Sequence, residues 1–200
     1  NSFVKNRLIA SPLCSIEHKL STIYLGVDED RFGFINKSQA RTKLELPINK
    51  KIILFGCLNF LNHRKGAEPL KNALCKYFDK DDYDNVCLVT FGETNGFSFD
   101  GIGIEWIHLG SISTNYDMNS LYRAADLLVS PSLDDVGPVI VVEAFMNELS
   151  IVAFNTGVAT DIVINGINGN LASCFDFDEL GVLVRKNIFS TVKRFRNNKK

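Results

Sequence analysis

The chain predicts an α/β fold: a Rossmann-like parallel sheet with helices on both faces. Three observations carry this. Apolar strand-like runs alternate with segments of helical spacing along most of the 200 residues. The runs are nearly continuous in their apolar character, as strands buried on two sides should be. The length suits one domain with an extension, and such a chain buries a large core.

The elements follow in order. TIYLGV (22–27) reads as a short strand, and KIILFGC (51–57) as a stronger one that ends in a polar loop. Residues 64–78 have helical spacing, with Leu70, Leu74 and Phe78 on one face. NVCLVTFG (85–92) is a buried strand, and IEWIHLG (104–110) follows a glycine-rich turn. A helix is expected over 119–125, then a strand DLLVSPS (126–132). Residues 138–147 read as helix, SIVAF (150–154) as strand, NGNLA (168–172) as a last short strand and 176–189 as helix. Residues 1–21 are expected to be a leading segment, 22–190 the folded domain, and the basic KRFRNNKK (193–200) part of a solvated tail over 191–200.

Composition excludes several classes. The net charge is −1, from 22 basic and 23 acidic residues, so no global field points to nucleic acid. Cys14, Cys57, Cys75, Cys87 and Cys174 contain no C-x-x-C, and their apolar surroundings suggest reduced core thiols in the cytoplasm. No apolar run approaches the roughly 18–20 residues of a membrane span. Asn36-Lys37-Ser38 fits a glycosylation acceptor but is read as chance in a cytosolic chain. Three scattered histidines make no metal site: His63 is read as a solvated loop residue and His108 as a structural one. Gly101-Ile102-Gly103 lacks a third glycine and precedes a strand, so it reads as a turn, not a dinucleotide fingerprint. Trp106 reads as core and Glu148 as surface.

In such a sheet, ligands sit outside the carboxyl ends of the strands, so the loops after Cys57, Phe91, Leu109, Ser132 and Phe154 carry the site. The loop over 56–66 brings Arg64 and Lys65 to the start of a helix. Two cations beside free backbone N–H groups suit a diphosphate. The loop after the 126–132 strand carries Asp135, Val136 and Gly137. Pro138 then suits the first helical position, because it has no N–H to lose there. Glu143 falls about a turn and a half into that helix, among Val139, Ile140, Val141, Val142, Ala144 and Phe145. A carboxylate in such company is costly to bury unless something hydrogen-bonds it, and sugar hydroxyls suit that role.

LFGCLN, RKG and LYRAADLLVSPSLDDVGPVIVVEAFMNELSIVAFNTGVATDIVINGINGNLA occur in that order. Together they resemble the donor-binding half of a family 4 glycosyltransferase with the two-domain GT-B architecture, most similar to bacterial enzymes of exopolysaccharide or lipopolysaccharide synthesis. The likeness runs from about Ile23 to Leu180, with IYLGVDEDRF (23–32) where the second domain of such proteins begins. It implies that Glu143 accepts the ribose hydroxyls and that Asp135 contacts the transferred sugar. Backbone N–H groups near Val136 and Gly137 would meet the sugar and the distal phosphate, with Lys65 on the departing diphosphate. It also implies a retaining transfer of a hexose-type sugar from a UDP- or GDP-sugar to a glycan or lipid-linked glycan, with no obligatory metal and no bound cofactor.

Three departures stand out. Cys57 replaces the family's phosphate-binding Arg, with Arg64 as the expected substitute. Gly137 comes only two residues after Asp135. Asn147-Glu148-Leu149-Ser150 replaces Cys-Gly-x-Pro. Only the second of two domains is recognisable, so an N-terminal acceptor domain is expected as partner, and the chain reads as a fragment or one subunit of a split enzyme. The expected location is the cytoplasm, with the inner face of the membrane as an alternative. Two rival readings are a non-catalytic nucleotide-binding or assembly module and a nicotinamide-dependent oxidoreductase. The missing G-x-G-x-x-G argues against the second.

Overall fold

A computed structural model describes residues 1–12, 19–24, 26–28, 35–112 and 114–190. Among the described residues six strands form the sheet: β1 (Lys51–Asn59), β2 (Val86–Glu93), β3 (Glu105–His108), β4 (Leu127–Ser130), β5 (Ser150–Phe154) and β6 (Gly169–Ala172). Their spatial order is β3-β2-β1-β4-β5-β6, and every pairing is parallel. Ile53 of β1 stands opposite Leu88 on one side and Leu127 on the other. The order reverses between β1 and β4, which makes their carboxyl ends the switch point where ligands of such sheets bind.

The alternation of side chains along β1 builds two cores. Ile52 and Leu54 point into one cluster, Ile53 and Phe55 into the other, and all four are buried. The first cluster is closed by α2 (Lys37–Lys43), α5 (Asn115–Ala124), α6 (Val139–Met146) and α7 (Ala159–Ile162). The second is closed by α3 (Ala67–Tyr77) and α8 (Phe177–Phe189). The other helices among the described residues are α1 (Ser2–Ile9) and the short α4 (Lys80–Tyr83).

Local chemistry sets several ends. Thr114 caps α5 by accepting from the Asp117 N–H at 3.1 Å, so this helix begins four residues earlier than apolar spacing alone predicts. Asp176 caps α8 in the same way, through Glu179 N–H at 2.8 Å. Asn36 caps α2, its side chain accepting from Gln39 N–H at 2.9 Å, which gives the Asn-Lys-Ser triplet a structural use. At the amino ends of β1 and β4, the buried Arg41 spends its guanidinium on the carbonyls of Ala124, Pro47, Ile48 and Lys50 and on Asp126 Oδ2, the last at 2.7 Å. Asp126 also accepts the Ile52 N–H. Helix α2 is thereby tied to the bottom of the sheet.

Some expectations are corrected. Among the described residues of 22–27 there is no strand. Ile23 and Tyr24 are exposed and pair with no sheet edge, and a lone extended run has no ladder to join. Helix α3 begins at Ala67, because residues 63–65 form a 3₁₀ turn that ends at Gly66. Pro138 is the cap of α6 rather than its first helical residue, with φ −62° and ψ 110°. Of the four described cysteines only Cys87 is buried; Cys57 is half-buried, and Cys75 and Cys174 are exposed. Trp106 is half-buried, its indole N–H donating to Thr90 Oγ1 at 2.9 Å. Glu148 is half-buried too, at a positive φ of 56° past the end of α6. The leading segment contains a helix, α1, that lacked a clear apolar period. Cys14, residues 29–32 and the basic tail lie outside the described residues.

Candidate functional site

The site is built where β1 and β4 end. β1 ends at Asn59, just past the exposed Leu58, and the chain then passes the exposed Leu61 into the 3₁₀ turn over 63–65. Gly66 closes that turn at φ +75°, and a Cβ there would lie 2.0 Å from the Pro131 carbonyl oxygen. Only glycine permits this approach. The backbone N–H of Leu133 donates to the Arg64 carbonyl at 2.8 Å, which ties the loop after β4 to the turn. Lys65 is thereby held over the switch point.

Between these segments lies a cleft of about 160 Å³, whose lining includes Gly56, Cys57, Lys65, Ser130, Pro138 and Val139. Helix α6 starts at its wall. The first N–H groups of a helix lack intrahelical acceptors, and those of Val139 and Ile140 belong to residues that line the cleft. They add partial positive charge next to the Lys65 ammonium.

Asp135 is held at both oxygens. Its Oδ2 pairs with Lys65 Nζ, and Oδ1 accepts the Gly137 N–H at 3.2 Å. Two further parts of the chain grip the same loop. Gly157, at φ +57° after β5, lies so close that a Cβ would sit 2.3 Å from the Asp135 carbonyl oxygen. Helix α1 reaches it from the other side: the Asn1 amide donates to the Val136 carbonyl, and Arg7 pairs with Asp134 at 3.0 Å. Ser2 bonds Asp161 of α7 through both its N–H and its hydroxyl. Burial pushes the Asp161 carboxyl up, but its bonds with Ser2 and Tyr24 outweigh this and lower it below its ordinary value.

Glu143 sits one turn along α6 from Val139, on the same face, and does not line the cleft itself. It is half-buried, and the hydroxyl of Tyr122 donates to its Oε2 at 2.6 Å. Burial first, and then the neighbouring carboxylate, push the Tyr122 phenol well above its usual value, so it stays a neutral donor. Arg64 and His63 are exposed, and among the described residues the Arg64 side chain makes no hydrogen bond. Cys57 lies in the cleft, and burial pushes its thiol up to about 11. His108 is away from the cleft, its ring bonded to Thr90 at 2.9 Å and its pKa lowered by burial. Among the described residues no group of three His, Cys, Asp or Glu is placed to hold a metal.

The structure therefore brings Lys65, Asp135, Pro138 and the start of α6 together and places Glu143 next to them. Tyr122 was missed in the sequence, because within LYRAAD it reads as one more core residue.

Residues 36–200 match the family model described as glycosyl transferases group 1. The chain belongs to this family. An uncharacterized glycosyltransferase, MJ1607 of Methanocaldococcus jannaschii, is 24% identical over 177 residues, covering 82% of this chain and 44% of that protein. Alr3699/HepE of Anabaena, solved with UDP and glucose, superposes with a TM-score of 0.71 at 23% identity, over 89% of this chain and 50% of that one. The C-terminal domain of the group 1 protein LpcC from Francisella tularensis superposes with a TM-score of 0.64 at 22% identity, over 84% of this chain and 94% of that domain. This group 1 domain thus spans about half the length of MJ1607 and HepE. The likenesses to solved structures establish the α/β Rossmann-like fold.

Proposed function

We propose that this domain is the nucleotide-sugar donor-binding half of a retaining, family 4, GT-B glycosyltransferase. It would act in bacterial exopolysaccharide or lipopolysaccharide assembly and move a hexose-type sugar from a UDP- or GDP-sugar to a glycan hydroxyl. The observation that carries the reading is Lys65 at the β1–β4 switch point, facing the start of α6. In the transfer, the bond between the anomeric carbon and the diphosphate oxygen breaks, and the acceptor oxygen bonds to that carbon. The nucleoside diphosphate leaves with the electron pair, and its departing oxygen takes the proton that the acceptor hydroxyl gives up. Lys65, Arg64 and the first N–H groups of α6 stabilise the developing negative charge, the work a divalent cation does elsewhere. Glu143 takes the ribose diol. Asp135, with the Val136–Gly137 backbone, faces the sugar.

Two features support a half-site. A cleft of about 160 Å³ is smaller than the roughly 300–1,000 Å³ of complete ligand pockets. Around it, the apolar side chains of Leu58, Leu61, Val136 and Val139 are exposed, and such a rim suits a covering domain that also brings the acceptor site. HepE, solved with UDP and glucose, supports the choice of ligand.

The test is calorimetric titration with UDP and GDP. Glu143→Ala is expected to weaken the preferred nucleotide by roughly 30–100-fold, the worth of charge-assisted hydrogen bonds. Unchanged affinity would remove Glu143 from the ribose role.

A further inference from the structure

We propose that Tyr122 is a positioning residue for nucleotide recognition: its buried hydroxyl fixes the Glu143 carboxylate in the orientation that accepts a ribose diol. The proposal rests on the donor-binding reading above and adds a residue that the sequence motifs do not single out. Tyr122 lies on α5, is fully buried, and belongs to the core on that face of the sheet. Its ring is core packing, but a core ring needs no hydroxyl. A buried hydroxyl is retained at a cost unless it finds a partner. Here the partner is Glu143 Oε2 at 2.6 Å, a short bond of the charge-assisted kind.

The consequence lies in what is left free. A carboxylate offers about four acceptor positions over two oxygens. Tyr122 takes one, which leaves Oε1 and the second lone pair of Oε2 for two hydroxyl donors. A glutamate on an unconstrained side chain loses rotamer freedom on binding. A glutamate already pinned at one oxygen loses less, so the ligand gains affinity through preorganisation. The pin is a neutral phenol and not a cation, so it leaves the carboxylate's full charge to polarise the diol. Helix α5 also follows directly on the loop after Leu109. Tyr122 therefore fixes the carboxylate from an element other than the one that carries it.

Tyr122→Phe tests this, since it keeps the ring and removes only the hydroxyl. The probes are whichever of UDP and GDP binds more tightly, and its 2′-deoxy counterpart, titrated on the full chain with melting temperature followed in parallel. The parent protein is expected to prefer the ribonucleotide by about tenfold. In Tyr122→Phe that preference should fall to about threefold or less, with affinity for the deoxynucleotide nearly unchanged. A ratio of affinities is read on one sample, so a partly unfolded preparation lowers the stoichiometry and leaves the ratio intact. A lower melting temperature with the parent's ratio would make Tyr122 a core residue only and overturn the proposal, even while Glu143→Gln abolishes the preference. A parent protein with no preference for the ribonucleotide would overturn the ribose role of Glu143 itself, and the positioning role with it.

Discussion

The strands β1 and β4 carry an ion pair at each end, and the two pairs are built differently. At the amino ends, Arg41 and Asp126 are 6% and 14% exposed in their side chains, and Arg41 donates to four carbonyls besides. At the carboxyl ends, Lys65 and Asp135 are 30% and 15% exposed, and the ammonium has a single protein partner among the described residues. A saturated cation is scaffold. A cation with unspent donors is free to meet a ligand, and a phosphate oxygen competes well for it. The difference between Arg and Lys fits this division: the guanidinium fork satisfies many acceptors at once, while the ammonium acts as a compact point charge.

The largest effect expected from breaking this contrast is at the closed end. Arg41→Ala orphans four carbonyls and removes half of a buried pair. It should cost about 3–5 kcal/mol and lower the melting temperature by roughly 10 °C. Nucleotide affinity per folded molecule should stay at the parent value. A melting curve within 2 °C of the parent would show that the amino end is not the scaffold described.

Two cysteines sharpen the comparison, one near each end. Cys87 is fully buried near the amino end, where burial first and Glu105 second push its thiol up to about 12. It should react with iodoacetamide only on unfolding. Cys57 lies in the cleft with a thiol near 11. At pH 8 its thiolate fraction is roughly a hundredfold below that of an ordinary thiol, so labelling should be slower by about that factor. The rate should then climb about tenfold per pH unit up to pH 10, because the raised pKa keeps the neutral form dominant until then. Bound nucleotide should slow it further. Peptide mass spectrometry reads all three rates, and equal labelling of Cys57 with and without nucleotide would place the ligand elsewhere.

The smallest effect belongs to the open end. Lys65→Met should weaken nucleotide diphosphate by about tenfold at low salt, with less difference at 1 M salt. Because the pair with Asp135 is partly exposed, the melting temperature should move by no more than a few degrees. Binding that is insensitive to both the substitution and salt would exclude Lys65 from the phosphate role.

Much of this arrangement was legible in the residues. All six strands fall on runs expected to be strands, and four of them, β1, β2, β4 and β5, stand out most clearly, because a strand buried on both faces leaves a strong compositional trace. The Asp135 loop and the start of α6 were legible because Gly137 and Pro138 mark a turn and a helix entry. Other parts were hidden for physical reasons. Helix α1 has no buried residues and is fixed by polar contacts to residues more than 120 positions away, so no period announces it. Arg41 reads as a surface cation until the carbonyls around it are seen. The bond between Tyr122 and Glu143 joins two helices 21 residues apart, and spacing within either helix says nothing of it. Residues 22–27 have the composition of a strand, but their described residues join no sheet edge.

Beside the cleft, at Gly66, two main chains run so close that only backbone sets the gap between them. Exchanges at positions 65 or 135 can retune charge and leave the spacing as it is, whereas a single methyl group at position 66 would prise the two walls apart. Reshaping the cleft therefore has to leave this crossing alone and begin with the loops around it.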